Sequence, residues 1–353
     1  MLNSLYFCIL IIIVCAVVLS KFITFFLGMI FLVMAVSSCR HDKTLNRAEA
    51  DRSLKALDSD LTRIADAVSQ SPGSLAINSL GSFENAPVPI KTKRTKLFET
   101  HGMFMFDRMK GEYTWNAATT TFDFHPGGNT IVIWYPLKNS TGNRACCIIY
   151  DYSEVQTTSF ARFPLILKAD ISVDNQKVFS IDHHASLSCG FPVMMTSDLW
   201  MGNSSIRLSM TNRLDTLHKR GAVTLKLFAG NPAHWVIQSV SSAEIELFRG
   251  GTYGLLTLES KTRLFDFLLD MRMNYLKISP SSRQYAEDFN SNSSITLYDE
   301  SLHARVGTLM LQKSKEEENR LDFMIRFSDG TDGFLSDWLL IYKKFLHFKH
   351  TFT

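Results

Sequence analysis

From Gly102 onward the apolar residues recur at every second position, in short runs separated by tight turn signals. That period belongs to strands with one buried face. Strand-like runs cover Met103–Phe106, Glu112–Trp115, Thr119–Phe124, Thr130–Tyr135 and Cys146–Tyr152. Between them stand Lys110-Gly111, Pro126-Gly127-Gly128-Asn129 and Asn139 to Asn143. Connections this short join antiparallel neighbours, because parallel pairing needs a long crossover. Further strands are expected at 222–228, 234–240, 243–248, 253–259, 295–299, 304–313 and 321–327. In residues 265–275 Phe265, Phe267, Leu269, Met271, Met273 and Tyr275 alternate with Asp266, Asp270, Arg272 and Asn274, which reads as a strand, although the composition favours helix.

One internal repeat is present. Phe163-Pro164 through Asp170 is echoed 28 residues later by Phe191-Pro192 through Asp198. Each copy reads strand, turn, strand, with turns at Asp174-Asn175 and Gly202-Asn203. Two hairpins in series predict a meander.

Helices are expected at three places. Asn46 and Glu49 form a capping-box pattern ahead of Leu54, Leu57, Leu61, Ile64 and Val68, a stripe along one helical face. That helix packs on the body or serves as a stalk; the stripe is too short for a coiled coil. Ser279-Pro280 opens a short helix over 280–290. After the Ser328 to Gly333 turn, residues 334–349 read as an amphipathic helix. Phe334, Trp338, Ile341, Phe345 and Phe348 fall near one face, and cations gather at its end. It is expected to cover an apolar sheet face, with a membrane surface as the alternative. The expected fold is mainly β: a large antiparallel meander sheet or half-barrel with an N-terminal helix and a C-terminal covering helix.

The N-terminus carries an address. From Leu2 to Val36 the only charge is Lys21, and the two apolar blocks are each about 15 residues, short of a comfortable membrane span. The second block ends Val36-Ser37-Ser38-Cys39. This resembles a bacterial lipobox, in which cleavage precedes a Cys that carries the lipid. An uncleaved anchor is the alternative, and a later start would leave residues 1–20 surplus. The expected organisation is a signal at 1–38, lipidated Cys39 with the amphipathic helix to 70, a linker over 71–96, and a β body with its C-terminal helix over 97–353. The run Lys91 to Lys96 holds four basic residues in six and is read as a solvated stretch.

Lys plus Arg is 37 against 34 Asp plus Glu, so net charge is only +3. A nucleic-acid binder normally shows a strong basic excess, and no nucleic-acid partner is expected. Beyond the signal, Cys146, Cys147 and Cys189 remain. An exported chain permits a bridge, for which Cys147 and Cys189 are the candidates; buried free thiols are the alternative.

Asp182-His183-His184 is the most tempting catalytic constellation, because such triplets occur in metal-dependent phosphoesterases. On a strand the two imidazoles face opposite ways and cannot chelate one metal. Asp329 to Gly333 lacks the spacing of a calcium loop and reads as a turn. Asp170 and Asp198 occupy matching places in the repeat, which explains them as well as acid–base work does. No catalytic residue, cofactor or metal site is expected. Tyr113, Trp115, Trp134, Trp200 and Trp235 are the candidate ligand-contact aromatics, with core packing as the alternative. Asn139, Asn203 and Asn292 head glycosylation triplets that matter only in a eukaryotic secreted protein.

Several features occur together: the lipobox, the acidic helix, Gly111-Glu-Tyr-Thr-Trp115, the Ile131 to Pro136 strand, the Phe-Pro hairpins and Ser328-Asp-Gly-Thr331. Together they resemble uncharacterised lipoproteins of Bacteroidetes-type bacteria over most of 39–345. The resemblance implies an outer-membrane lipoprotein on the periplasmic side, partnered by the membrane through its anchor. The expected role is non-enzymatic binding or scaffolding. By analogy of architecture with periplasmic lipoprotein carriers, the curved sheet would hold an apolar ligand. A cell-surface glycan- or protein-binding module is the first alternative, and a metal-dependent hydrolase built on Asp182, His183 and His184 the second.

Overall fold

The structure is a computed structural model that describes residues 43–89, 99–100, 103–138, 142, 144–156, 162–248, 253–278, 284–314 and 321–339. Cys39, the apolar N-terminus, the basic run at 91–96 and Asn139 lie outside the described residues. The chain opens with β1 (Lys43–Thr44), α1 (Arg47–Ser69) and α2 (Pro72–Ser82). A two-stranded ribbon, β2 (Glu99–Thr100) with β3 (Met103–Phe104), and a 3-10 turn at Phe106–Met109 follow. Next come β4 (Gly111–Asn116), β5 (Thr121–Pro126), β6 (Ile131–Tyr135), β7 (Ala145–Val155), β8 (Phe163–Val173) and β9 (Gln176–Ser188). The middle of the chain supplies β10 (Phe191–Met201), β11 (Ser204–Asp215), β12 (Arg220–Asn231), β13 (His234–Leu247), β14 (Tyr253–Leu264) and β15 (Phe267–Asn274). After α3 (Tyr285–Asn292) come β16 (Ser293–Asp299), β17 (Ala304–Lys313), β18 (Leu321–Phe327) and β19 (Asp332–Phe334).

These strands build one 17-stranded open sheet, the expected meander. From β6 to β19 each strand pairs antiparallel with its neighbour in sequence. At one end β4 lies parallel to β6 and carries β5 on its other side. The predicted turns close the hairpins: Asp174 and Asn175 both adopt positive φ between Val173 and Gln176. Both positions of a primed two-residue turn require that conformation. The repeat also explains two irregularities. Register slips beside Pro164 on β8 and beside Pro192 on β10, where a missing N–H cannot complete the ladder.

The apolar face of the sheet is covered by the chain's own N-terminal helices. Asn46 caps α1 with the predicted capping box. Leu54, Leu57 and Leu61 pack with the cluster formed by β10–β18, and Val68 packs with the cluster formed by β4–β10. The helix therefore bridges two cores and is part of the body. Its start is held by the 328–338 segment: Arg47 N–H donates to Asp329, and Trp338 Nε1 donates to Asp51 at 2.8 Å. Asp329 also accepts from Thr331 N–H and Oγ1, so the expected turn forms at 328–331, and Asp332 and Gly333 already belong to β19.

The expected linker over 71–96 is corrected: residues 72–82 are the helix α2. Ser71 caps it by accepting from Ser74 N–H, and Pro72 occupies the first turn, where no N–H is needed. Ala76, Ile77 and Leu80 are buried against β7–β9. Tyr135 Oη donates to Ala76 O, and Ser79 Oγ accepts from Lys138 N–H at 2.9 Å. Gly73 permits the close approach, since a Cβ there would sit 2.6 Å from Val178 O and from Met201 Cγ.

Two further helices differ from expectation. The short helix occupies 285–292 rather than 280–290, with residues 279–283 outside the described residues. Residues 334–339 do not begin an α-helix: β19 ends at Phe334 and a 3-10 turn spans Leu335–Asp337. Ser336 Oγ donates to Asp322 and Trp338 packs edge-on to Phe327, so this segment is folded onto β18. Residues 340–349 lie outside the described residues. Among the described residues no helix is long and apolar enough to cross a membrane.

Candidate functional site

The alternation of each strand divides the expected site residues between two faces. Tyr113 and Trp115 fall on the apolar face. Tyr113 is buried with its hydroxyl donated to Met109 O, and burial pushes it up to about 12; Trp115 packs on Phe83 and Phe122. These two are core aromatics rather than ligand contacts. Trp134, Trp200 and Trp235 are half-buried on the opposite, solvent face. Register therefore divides the five aromatics two to three.

Among the described residues Cys146, Cys147 and Cys189 are free thiols. Cys147 is buried near the start of β7, while Cys189 is exposed at the tip of the β9–β10 hairpin. Cys147 opposes Ile171, which opposes Phe179, and Cys189 lies ten residues farther along. That is about 33 Å of strand, far beyond the ~7 Å Cα limit of a bridge. The Cys147–Cys189 candidate is thus corrected. Burial pushes the Cys147 thiol well above its ordinary range and the Cys146 thiol up to about 11.

Asp182, His183 and His184 divide as alternation requires. His183 is fully buried, with Nδ1 2.7 Å from Ser197 Oγ and Nε2 3.2 Å from Pro164 O. A carbonyl only accepts, so Nε2 carries the proton and Nδ1 accepts from Ser197. Burial lowers the pKa of this ring. His184 points the other way and lies 2.8 Å from Asp182. The imidazoles cannot share a metal, and no cluster of three ligating side chains occurs among the described residues.

On the solvent face Asp182 belongs to a charged cross-strand row. Lys168, Asp182, Asp198 and Arg207 stand opposite one another on β8 to β11. Two carboxylates directly opposed would repel. Here Lys168 reaches Asp182 at 3.2 Å and Arg207 reaches Asp198 at 2.6 Å. Asp170 is paired with Lys177 at 2.8 Å, so the matching aspartates of the repeat serve separate ion pairs.

Farther along the same face lies an open groove of about 850 Å³. Its floor is two adjacent cross-strand rows. One runs Thr224, Ser242, Glu259, Arg272 and Ser294; the other runs Ala222, Glu244, Thr257 and Asn274. Ser291 and Asn292, at the end of α3, close one side. Glu244 and Glu259 have no ion-pair partner among the described residues. The groove thus offers hydroxyls, amides, the Glu244 and Glu259 carboxylates and the Arg272 guanidinium. Sequence reasoning missed it because its members come from six elements and meet only through register.

The apolar face is a different case. The space between α2 and β7–β9, lined by Ile77, Leu80, Cys147, Leu167, Phe179 and Ile181, holds about 60 Å³. That is on the order of two water molecules. No known family model, curated protein or solved structure matches this chain.

Proposed function

We propose that this chain is a lipid-anchored bacterial envelope protein with a non-enzymatic binding role, akin to the Bacteroidetes-type lipoproteins it resembles. The anchor is Cys39, and the ligand is a polar, hydroxyl-rich or cationic molecule seated on the solvent face of the sheet. The groove over β12–β15 carries this reading: about 850 Å³, open, and floored by registered hydroxyl, amide and carboxylate side chains. A binding site needs concavity and a few convergent polar groups, and the groove supplies both. Among the described residues α1 and α2 pack onto the apolar face, which favours this reading over the carrier version with an apolar ligand on the curved sheet.

Two measurements test the proposal. The full chain is expressed in a bacterial host, and the mass of the mature N-terminus is compared with that of Cys39→Ala. An acylated N-terminal Cys39 in the first and an uncleaved chain in the second are expected; an unacylated, intact N-terminus in both contradicts the anchor. Envelope material retained by the wild type is then compared with that retained by Glu244→Gln/Glu259→Gln. Loss of a retained polar component is expected, and co-purification of stoichiometric lipid with an unchanged polar fraction contradicts the ligand class.

A further inference from the structure

A second feature of the solvent face points to a particular ligand chemistry. Along β13 the alternation places Ile237, Ser239 and Ser241 on the apolar face. By parity Trp235 should join them. It does not, because the β12–β13 ladder slips between Ala229 and Gly230: Ile237 opposes Ala229, while Trp235 opposes Gly230 and Val236 is left over. This bulge turns Trp235 onto the solvent face, beside Phe228 at 5.8 Å between ring centroids. Bulges re-aim side chains in this way and concentrate beside binding sites. Gly230 is needed for it. Its φ is +130°, and a Cβ there would lie 2.8 Å from Val236 N.

The re-aimed ring lands in a row with another Trp. Trp200 opposes Ser205, Ser205 opposes Gly230, and Gly230 opposes Trp235. Two half-buried indoles therefore stand three interstrand steps apart, about 14 Å, with only a serine and a glycine between them. Trp200 has no aromatic partner among the described residues. The next row supplies polar groups: Arg207 holds Asp198 through Nε at 2.6 Å, which leaves its terminal N–H donors unused by that contact. Its guanidinium carbon lies 5.9 Å from the Trp235 ring centre, at the outer limit of cation–π reach.

We infer that the Trp200–Ser205–Gly230–Trp235 row is a saccharide-binding platform that takes a short chain of neutral sugar rings laid across strands β10 to β13. Sugar rings present an apolar C–H face and a rim of hydroxyls. The former matches the indoles, and the latter matches Ser205, Asp198 and Arg207. The small residues between the two indoles leave space for rings to lie flat on the sheet. The inference rests on the reading that the solvent face binds polar ligands, but it uses a site apart from the groove.

The test uses the purified full chain in a mild neutral detergent without a sugar headgroup, titrated with cellohexaose, maltohexaose, xylohexaose and mannohexaose, with tryptophan emission as the readout. At least one hexasaccharide is expected to shift the emission saturably. Trp200→Ala and Trp235→Ala should each weaken that binding at least tenfold, whereas Glu259→Gln in the groove leaves it unchanged. Isothermal calorimetry reads the variants independently of their lost fluorescence. If Trp235→Ala fails to fold by circular dichroism, Trp200→Ala alone decides. Absence of a saturable response to all four probes overturns the inference, as does wild-type affinity in Trp200→Ala. Binding that is lost in Glu259→Gln and kept in the Trp variants moves the saccharide to the groove. That outcome overturns the platform while leaving the proposed function standing.

Discussion

The two faces of this sheet have the same backbone and opposite occupants. On one, Ile131, Ile133 and Tyr135 are almost completely buried, as are Leu54 of α1 and Ile77 of α2, which pack onto that face, and the space between α2 and β7–β9 is about 60 Å³. On the other, the side chains stand in cross-strand rows of opposite charge, hydroxyls and three half-buried tryptophans, around a groove of about 850 Å³. A long antiparallel meander leaves an apolar face to be covered. Here α1 and α2 pack onto that face, so stability resides on one face and the proposed recognition on the other.

If that division holds, mutations on the two faces should separate by magnitude. The largest effect is expected at Leu54, where truncation to Ala removes a fully buried side chain at the α1–sheet contact. About 2–5 kcal/mol of stability should be lost, read by denaturant unfolding. A loss below ~0.5 kcal/mol would mean that α1 is only loosely attached. Next comes Gly230→Ala, which introduces a Cβ at φ +130° against Val236 N. A strained residue of this kind costs about 1–3 kcal/mol, and Trp235 emission should shift as the bulge readjusts. An unchanged spectrum and stability would show that the bulge does not depend on glycine.

The third effect depends on pH. His183 is buried and neutral, and burial holds its pKa below the ordinary value in the unfolded chain. The unfolded state therefore binds the extra proton first as pH falls, so the His183 contribution is complete above about pH 6.5 and declines below it. Stability should decrease from pH 7 to pH 5 in the wild type, and His183→Gln should flatten that slope. A slope unchanged by the substitution would place the titrating group elsewhere. Smallest in stability is Arg207→Ala on the solvent face. Its ion pair with Asp198 is exposed, and such pairs contribute about 0–1 kcal/mol. Unfolding should barely move, while saccharide affinity falls. A loss as large as that of Leu54→Ala would erase the distinction between the faces.

Much of this fold was legible because its signals are local. Two-residue turns at Asp174-Asn175 and Gly202-Asn203, the Asn46–Glu49 capping box and the alternation of 269–274 each act within a few residues. The opposite directions of His183 and His184 follow from the same alternation. What escaped depends on distant partners. The α2 stripe is short and lies amid Ser, Gly and Pro, which read as linker, although Ser71 before Pro72 is a helix-start signal like the one noticed at Ser279-Pro280. The solvent-face position of Trp235 depends on a bulge opposite Gly230, and no count along β13 reveals it. The groove depends on the register of β12 to β16, so its rows exist only once the strands are paired. The start of the expected final helix differs because the apolar residues of 334–339 pack onto β18, where Asp322 and Ser336 fix a 3-10 turn.

In this fold α2 is a fixed part of the core and closes the apolar face, which leaves the proposed recognition to the solvent face. Hydrogen exchange of the full chain tests it most directly. The amides of Ile77 to Leu80 should exchange as slowly as those of β7 and β8 beneath them, because all three open together only in global unfolding. Exchange of α2 within seconds, with β7 and β8 still protected, would contradict the account. The helix would then be a lid, and the apolar face a site that opens to a ligand.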